Sequence, residues 1–181
     1  MLQSMLGSHY TVGNFGVCGS AASINSLKPY IDQHEFWLAL NFQPKMIVIM
    51  LGTNDAKLNN TGDLESFKTS YEEIIKQFQA LPGNQQILLV DPPPILNNTL
   101  NLNNATLVQD IIPQINQIAD ELNLSTVNVY SALTNHTQVL GDGVHPNSEG
   151  AQIIATQVYQ ALIALNEADN SASIVAPTEG S

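Results

Sequence analysis

The stretch Met46-Ile47-Val48-Ile49-Met50-Leu51-Gly52-Thr53-Asn54-Asp55 decides the fold. Its first six residues are all apolar, with no alternation of apolar and polar positions. Such a run is typical of a strand that is covered on both faces, which is the usual situation in a parallel sheet. Its last four residues are small or polar. We therefore expect a buried strand that ends in a functional loop at its carboxyl end.

Further strands are predicted on both sides of this stretch. Tyr10 to Phe15 is a short β-type run that leads into the small-residue loop Gly16 to Ala22, and Gln86 to Val90 and Thr126 to Tyr130 are further apolar strands. Helical patterns separate the strands. This alternation predicts an α/β sandwich around a parallel sheet.

The helices are predicted from apolar spacings of three and four and from their end signals. In chain order they are the last turns of a helix at Leu2 to Leu6 that stops at Gly7, a turn and short helix within Lys28 to Leu40, a helix from a cap at Asp63 to about Leu81, a helix from about Leu107 to Leu122, and a last helix from a cap at Asn147 or Ser148 to about Leu165. Pro113 lies inside the fourth pattern, so it should kink that helix or mark the first turn of a new one.

The length of 181 residues predicts one domain, with no internal repeat. We place this domain at residues 1–165. Residues 166–181 are rich in Asn, Ala, Ser, Asp and Glu and include Pro177 and Gly180, so they are predicted to be a disordered tail. Because the chain opens on the end of a helix, the sequence is expected to start inside a domain.

Composition excludes several classes of partner. The formal net charge is -11, with five lysines and no arginine. Nucleic acid, anionic membranes and polyphosphates are therefore poor partners, and a neutral small molecule fits better. No apolar run approaches the roughly 18 to 20 residues that span a bilayer. The single Cys18 excludes an internal disulfide and a cysteine-based zinc site. The sequence carries no signal for an oligomeric state.

Three loops carry residues that suit acyl transfer. Asp142 precedes His145 by three residues in a loop with two glycines and a proline, so the carboxylate can fold back and fix the imidazole tautomer. Gly19, which lacks Cβ, lets its backbone N–H approach an oxyanion closely. The side-chain NH₂ of Asn54 is a second neutral donor, and the adjacent Asp55 is expected to cap or brace the loop.

Each of these features also has a purely structural interpretation. Gly19 and the Asn54-Asp55 pair are compatible with ordinary turn chemistry, and Asp142 with His145 with a loop hydrogen bond. Their occurrence together at three predicted strand ends favours a hydrolytic site. The aromatic side chains at Tyr30, Phe36 and Trp37 are either walls of a substrate pocket or members of the core.

The motifs resemble a known family. The stretches Asn14 to Ser20, Leu51 to Asp55 and Asp142 to Asn147 are similar to the second, third and fifth sequence blocks of the SGNH (GDSL-type) hydrolases. The turn Asp91-Pro92-Pro93-Pro94 and the stretch Gly141 to Pro146 are most similar to the carbohydrate acetylesterase branch, whose members are acetylxylan or sialate O-acetylesterase-like.

This resemblance implies a three-layer αβα sandwich with a flavodoxin-like sheet of five parallel strands. It implies that Gly19 and Asn54 are the oxyanion-hole donors, that His145 is the general base and that Asp142 is its partner. It also implies an ester hydrolase of the serine type that removes acetyl or short acyl groups from carbohydrate esters, without a metal or other cofactor. A secreted or periplasmic location is favoured.

The chain departs from the family at its start. The first block of the family is a strand that ends in Gly-Asp-Ser with the nucleophile, and no Gly-Asp-Ser occurs in this sequence. In the family's strand order, the lost strand lies between the strands at Tyr10 and Met46. Cys18 is interpreted as a small buried hydrophobe and not as a substitute nucleophile. We therefore expect an N-terminally truncated sequence with little activity of its own.

Two other functions remain open at this point. The first is a non-catalytic carbohydrate-binding or interaction module on a hydrolase scaffold, which the missing serine favours. The second is a lysophospholipase-like or thioesterase-like lipase of the same family.

Overall fold

The computed structural model describes residues 1–57 and 61–172. The strands are β1 (Met46–Ile49), β2 (Gln86–Val90) and β3 (Ser125–Val127). The α-helices are α1 (Leu2–Leu6), α2 (His34–Asn41), α3 (Thr61–Gln79), α4 (Asn104–Thr106), α5 (Ile112–Leu122), α6 (Val129–Thr134) and α7 (Ser148–Ala172). A π-helical turn, Leu107–Ile111, joins α4 to α5, and short 3₁₀ turns lie at Tyr30–Asp32 and Thr137–Val139.

The three strands form one parallel sheet in the order β1-β2-β3. Met46 is in register with Gln86, and Leu88 is in register with Ser125. The predicted strand at Gln86 to Val90 is confirmed at both of its ends. Because all strands are parallel, their carboxyl ends lie at one edge of the sheet, where functional loops are expected.

Helices cover both faces of the sheet, as the unalternating apolar strands predicted. Alternate residues of β2 take part in two separate cores: Ile87 and Leu89 belong to the first, and Leu88 and Val90 to the second. Side chains of α2, α3 and α5 build the first core, whereas side chains of α1, α6 and α7 pack in the second. The structure therefore confirms the α/β three-layer sandwich.

The predicted strand at Tyr10 to Phe15 is wrong. This segment forms no strand, and side chains satisfy several of its backbone groups. Gln3 Nε2 donates to the carbonyl oxygen of Tyr10 at 2.9 Å, and the N–H of Val12 donates to Gln3 Oε1 at 2.8 Å. A segment of β-type composition forms a strand only where the backbone of a neighbouring strand offers hydrogen bonds to it. Instead of the five strands that the resemblance implies, the described part of the chain has three.

Two predicted boundaries near the C-terminus also need correction. Tyr130 lies in α6 because Asn128 caps this helix, its Oδ1 accepting the N–H of Ser131 at 2.8 Å. The last helix, α7, continues to Ala172, beyond the predicted end at Leu165. The extension contains Glu and two Ala residues, which are good helix formers, so the first part of the predicted tail is helical. Residues 173–181 lie outside the described residues.

Candidate active site

The small-residue loop after Phe15 is tied to the loop after β1 by a buried carboxylate. The N–H of Ala22 donates to Asp55 Oδ2 at 3.0 Å, and the N–H of Ser23 donates to Asp55 Oδ1 at 2.8 Å. Asp55 has no exposed surface. A buried carboxylate that accepts two backbone N–H groups makes strong, charge-assisted hydrogen bonds. This geometry confirms the predicted bracing role of Asp55 and brings the two loops together.

Gly19 lies at the exposed turn of the first loop. Its φ of 75° is in the left-handed region, which glycine adopts at little cost. The turn is closed by the N–H of Ser20, which donates to the carbonyl oxygen of Val17 at 3.2 Å. The N–H of Gly19 itself donates to no other residue in the described ranges. It is therefore a free backbone donor, as an oxyanion hole requires.

Asn54 contacts the same loop from the end of β1. Its Nδ2 donates to the carbonyl oxygen of Ser20 at 3.0 Å, and its side chain is half-buried. A side-chain amide carries two N–H donors, so this bond fixes the orientation of the amide and leaves a second donor for a ligand. Gly19 and Asn54 thus flank Ser20 as two neutral donors.

Asp142 and His145 form the predicted pair. Asp142 Oδ2 lies 2.7 Å from His145 Nδ1, and Asp142 Oδ1 accepts the N–H groups of His145 at 2.7 Å and Val144 at 3.0 Å. These hydrogen bonds, first of all the one from the backbone of His145, hold the pKa of the Asp142 carboxyl well below its usual range. An ionised Asp142 keeps the proton of the imidazole on Nδ1, so Nε2 carries the basic lone pair.

The loop that carries this pair is held by two contacts. The N–H of Leu96 donates to the carbonyl oxygen of Gly143 at 2.7 Å. Gly143 has a φ of 84°, and a Cβ at this position would lie 2.4 Å from the carbonyl oxygen of Asn97. On the far side, Asn147 Oδ1 accepts the N–H groups of Glu149 and Gly150, both at 3.0 Å. This confirms Asn147 as the cap of α7 and shows why glycine is needed at 143.

The loops after β1 and β2 pack against each other. A Cβ on Gly52 would lie 3.2 Å from Pro92 Cγ, so the end of β1 meets the proline turn after β2. That turn leads to Leu96 and so to the loop that carries Asp142 and His145. No hydrogen bond between described residues joins Gly19 or Asn54 directly to His145. The sheet edge and the proline turn set their relative positions.

Sequence reasoning missed one residue that organises this edge. Asn104 Oδ1 accepts the N–H of Ile95 at 2.9 Å, and Asn104 Nδ2 donates to the hydroxyl of Tyr130 at 2.9 Å. The residue lies in the stretch Asn97 to Asn104, whose Asn-rich composition predicts only a loop. Several neighbouring Asn residues carry no signal that marks which one is engaged.

Asp91, which follows β2, is a buried carboxyl. It is 1% exposed, and its Oδ1 has no hydrogen-bond partner among the described residues. Burial raises the pKa of Asp91 to about 6. The Asp91 carboxyl therefore titrates near pH 6, at the start of the proline turn that leads to Leu96.

Four side chains near the site differ in their surroundings. Cys18 is exposed, which contradicts its interpretation as a small buried hydrophobe. The reason is the turn at Gly19, which turns the preceding residue outward. Tyr30 and Phe36 are buried in the first core with ring centroids 5.6 Å apart. Phe36 is a core residue only, whereas Tyr30 also lines a cavity that runs along β1. Trp37 is 54% exposed and lies neither in the core nor in the wall of this cavity.

Across residues 1–57 and 61–172, no group of three or more His, Cys, Asp or Glu side chains is placed to hold a metal ion. None of the helices in these ranges has the length and apolar character that crossing a membrane demands.

Comparisons with known proteins agree with this fold. The chain is similar to an acetylxylan esterase of Xylanibacter ruminicola, with 30% identity over 179 residues that cover 89% of this chain and 37% of the relative. The chain thus spans little more than a third of that curated protein.

Solved structures with the same fold include two from Sinorhizobium meliloti. One is described as a carbohydrate acetylesterase family member, with a TM-score of 0.69, 20% identity and coverage of 89% of this chain and 82% of the other. The second, the carbohydrate acetylesterase Est24, gives a TM-score of 0.73 at 17% identity, with coverage of 91% and 83%. The sequence model of the GDSL-like Lipase/Acylhydrolase family matches residues 1–153. The family predicted from the sequence motifs is therefore confirmed, and the chain belongs to the GDSL-like lipase/acylhydrolase family.

Proposed function

We propose that this chain belongs to a serine-type esterase that removes acetyl or another short acyl group from a carbohydrate ester. The observation that carries the proposal is the 2.7 Å contact between Asp142 Oδ2 and His145 Nδ1. It presents a correctly held imidazole base in the loop before α7, while a free N–H at Gly19 and an oriented amide at Asn54 supply donors for an oxyanion.

In the proposed reaction, His145 Nε2 takes the proton of a hydroxyl nucleophile as its oxygen attacks the acyl carbon. The carbonyl oxygen gains negative charge, which Gly19 N–H and Asn54 Nδ2 stabilise; each such donor is typically worth about 3 kcal/mol. The bond between the acyl carbon and the sugar oxygen then breaks, and the imidazolium, stabilised by Asp142, gives its proton to this oxygen, so the sugar leaves as an alcohol. Water repeats the sequence on the acyl-enzyme and releases the acid.

The hydroxyl nucleophile comes from outside these 181 residues in this proposal. The support is that the sequence contains no Gly-Asp-Ser, the motif in which the family carries its serine. We expect little turnover from the chain by itself, because a site without one triad member keeps only the residual help of its oxyanion hole and of binding. An in-frame Gly-Asp-Ser roughly 20 to 30 codons before Gly7, the spacing that the resemblance to the family implies, would support this proposal.

A carbohydrate ester is favoured over the lipid and thioester substrates of related hydrolases by two observations. The net charge of -11 and the lack of arginine disfavour anionic substrates and anionic lipid surfaces. The similar proteins include an acetylxylan esterase and a carbohydrate acetylesterase family member. A series of p-nitrophenyl esters of rising acyl length should show a maximum at acetyl, and a maximum at long chains would favour the lipase alternative.

The decisive experiment compares two proteins. One is the chain as given, and the other carries a Gly-Asp-Ser strand segment before α1. We expect acetate release from p-nitrophenyl acetate only in the second, with a loss of at least about 100-fold in His145→Ala. His136→Ala, which removes another exposed imidazole, serves as the matched control and should retain activity. Cys18→Ala tests for a thiol contribution and should also retain activity.

The alternative is a non-catalytic binding module, which the missing serine motif favours. His145-dependent hydrolysis in either protein would exclude it. A folded, serine-supplied protein that binds acetylated xylo-oligosaccharide without hydrolysing it would support it and contradict the esterase proposal.

A further inference from the structure

The proline turn, residues 91–96, joins the end of β2 to the site loop, residues 140–147, which carries both members of the His–Asp pair. Its first five residues are all buried. At its start the N–H of Asp91 donates to the carbonyl oxygen of the last residue of β3 at 2.9 Å, and at its end the N–H of Leu96 donates to the carbonyl oxygen of Gly143 at 2.7 Å. Each proline has a fixed φ and no N–H, so the turn is a stiff segment between these two ends. A displacement of Asp91 is therefore passed on to Leu96.

The side chain of Asp91 is a buried carboxyl whose local donors are missing. It is 1% exposed, and its Oδ1 accepts no hydrogen bond in the part of the chain that the structure describes. An Asp in a turn usually accepts the N–H groups of the residues that follow it. Residues 92, 93 and 94 are prolines without an N–H, and the next N–H, that of Ile95, donates to Asn104 Oδ1 at 2.9 Å. The sequence itself therefore withholds the donors that an ionised Asp91 needs.

The titratable groups around Asp91 are Tyr71 of α3 and Asp55 of the loop after β1. Tyr71 is fully buried, and its hydroxyl donates to the carbonyl oxygen of Ile49 at 3.3 Å. Burial, and then the charges of Asp55 and Asp91, raise the pKa of Tyr71, so this phenol stays neutral. Asp55 is a second buried carboxylate. Neither group supplies a positive charge to Asp91.

The other elements at this junction present no cation either. The π-helical turn and α5 contribute Ile111 and Ile115, which meet Gly52 on the side where Pro92 packs. Asp110 of the π-helical turn is exposed. From α6, the hydroxyl of Tyr130 accepts the hydrogen bond from Asn104 Nδ2 at 2.9 Å. None of the ion pairs between described residues involves Asp91.

Ionisation of Asp91 therefore places an uncompensated charge inside the junction. Such a charge is costly, so burial raises the pKa of Asp91 to about 6. Water is the remaining source of hydrogen bonds for the carboxylate. The turn packs closely on the end of β1, where a Cβ on Gly52 would lie 3.2 Å from Pro92 Cγ. Water gains access to the carboxylate when the proline turn moves away from Gly52.

We propose that Asp91 is a proton-dependent positioning residue: its protonated carboxyl lets the proline turn stay packed on Gly52, and its ionisation loosens the turn and opens the hydrogen bond from Leu96 to Gly143. The site loop is thereby held more tightly in acid than at neutral pH. Asp91 touches no reacting atom and acts through Leu96. The inference goes beyond the proposed function, and every measurement that tests it is made without hydrolysis.

The test is NMR hydrogen exchange at pH 5 and pH 7 on the unchanged chain, Asp91→Asn and Asp110→Asn. Protection factors are compared because they correct for the direct effect of pH on amide exchange. With a pKa of about 6 in the packed turn and the ordinary 3.8 in the open one, opening becomes about tenfold more favourable between these pH values. We expect the protection of Leu96 to fall about tenfold in the unchanged chain and in Asp110→Asn. It should stay constant in Asp91→Asn, whose amide resembles the protonated carboxyl and does not ionise.

The amide of Phe42, which donates to the carbonyl oxygen of Leu38 at the end of α2, is the internal control and should keep its protection. An equal loss at Phe42 and Leu96 would show a general loosening of the chain and would overturn the proposal. Constant protection of Leu96 in the unchanged chain would also overturn it, as would an equal loss in Asp91→Asn.

Two further measurements exclude other origins of the response. The ¹³C shift of the Asp91 carboxyl carbon in the unchanged chain should titrate at about pH 6, and titration at 3.8 would contradict the proposal. His145→Gln removes the imidazole as an alternative source of the pH response. The response of Leu96 should persist in this variant, and its disappearance would assign the effect to His145. If Asp91→Asn does not fold, Asp91→Leu replaces it as the variant that cannot ionise.

Discussion

The N–H of Ser23 donates to Asp55 Oδ1 at 2.8 Å, across 32 positions of sequence. The second oxygen of the same carboxylate accepts the N–H of Ala22. The buried side chain of Asp55, at the end of β1, therefore fixes the position of the loop that carries Gly19. The positions of Gly19 and Asn54, the proposed oxyanion donors, depend on this contact although Asp55 itself is not a proposed donor.

Replacement of this carboxylate should loosen the loop. In Asp55→Asn an NH₂ group faces a backbone N–H, so at least one buried donor loses its acceptor. We expect the free energy of unfolding to fall by about 2 to 3 kcal/mol, measured by urea denaturation. Asp110→Asn, at an exposed carboxyl, is the matched control and should change stability by less than about 0.5 kcal/mol. An Asp55→Asn protein as stable as the control would contradict the bracing role.

Gly141 and Gly143, which lie in the loop that carries Asp142 and His145, should differ sharply in their tolerance of a methyl group. Gly143→Ala places Cβ 2.4 Å from the carbonyl oxygen of Asn97 at a φ of 84°, so it should cost about 3 kcal/mol or more. Gly141→Ala meets nothing within 4 Å and should be neutral within about 0.5 kcal/mol. Urea denaturation of both variants gives the comparison, and equal costs would show that the loop is not held against Asn97.

Stability should depend on pH through Asp91. Burial raises its pKa from 3.8 to about 6 in the folded chain, so the folded state binds the proton more tightly than the unfolded state. The contribution is fully present below about pH 4 and is lost as pH rises through about 6, with a total of about 3 kcal/mol. Asp91→Asn removes this part of the pH dependence, which urea denaturation from pH 4 to 8 measures. Asp110→Asn should retain it, and parallel curves for Asp91→Asn and the unchanged chain would contradict the prediction.

Asp142 should act in the opposite direction. Its folded pKa lies below the ordinary value, so its stabilising contribution is present above about pH 4 and is lost as pH falls through the folded pKa. We expect Asp142→Asn to lower the urea midpoint at pH 5 and to approach the unchanged chain as pH falls. A difference that stays constant down to pH 2 would show that the carboxylate form is not what the backbone N–H groups of Val144 and His145 stabilise.

The features that the sequence predicted well are local. Asn147 caps its helix and Asp142 folds back onto His145, because both contacts join groups within a few residues of each other. The apolar run at Gln86 to Val90 is a strand because it is buried from both faces. The run at Tyr10 to Phe15 has a β-type composition too, but a strand needs a neighbour. Composition cannot show whether the neighbouring strand is present. The contact of Leu96 with Gly143 was missed for the same reason, since it joins segments 47 positions apart through backbone groups alone.

The π-helical turn at Leu107–Ile111 lies two to six residues before Pro113, and it contains Gln109, whose carbonyl group would clash with the proline ring in a regular helix. A wide turn relieves the clash between a proline ring and the carbonyl group one turn earlier. It ends on Ile111, whose Cγ2 would lie 2.7 Å from a Cβ on Gly52. A π-turn arises from one residue inserted into an α-helix. Deletion of Val108 should therefore remove the wide turn and withdraw Ile111 from beneath Gly52, so the position of the Asn54 loop depends on the number of residues in the helix that packs under it.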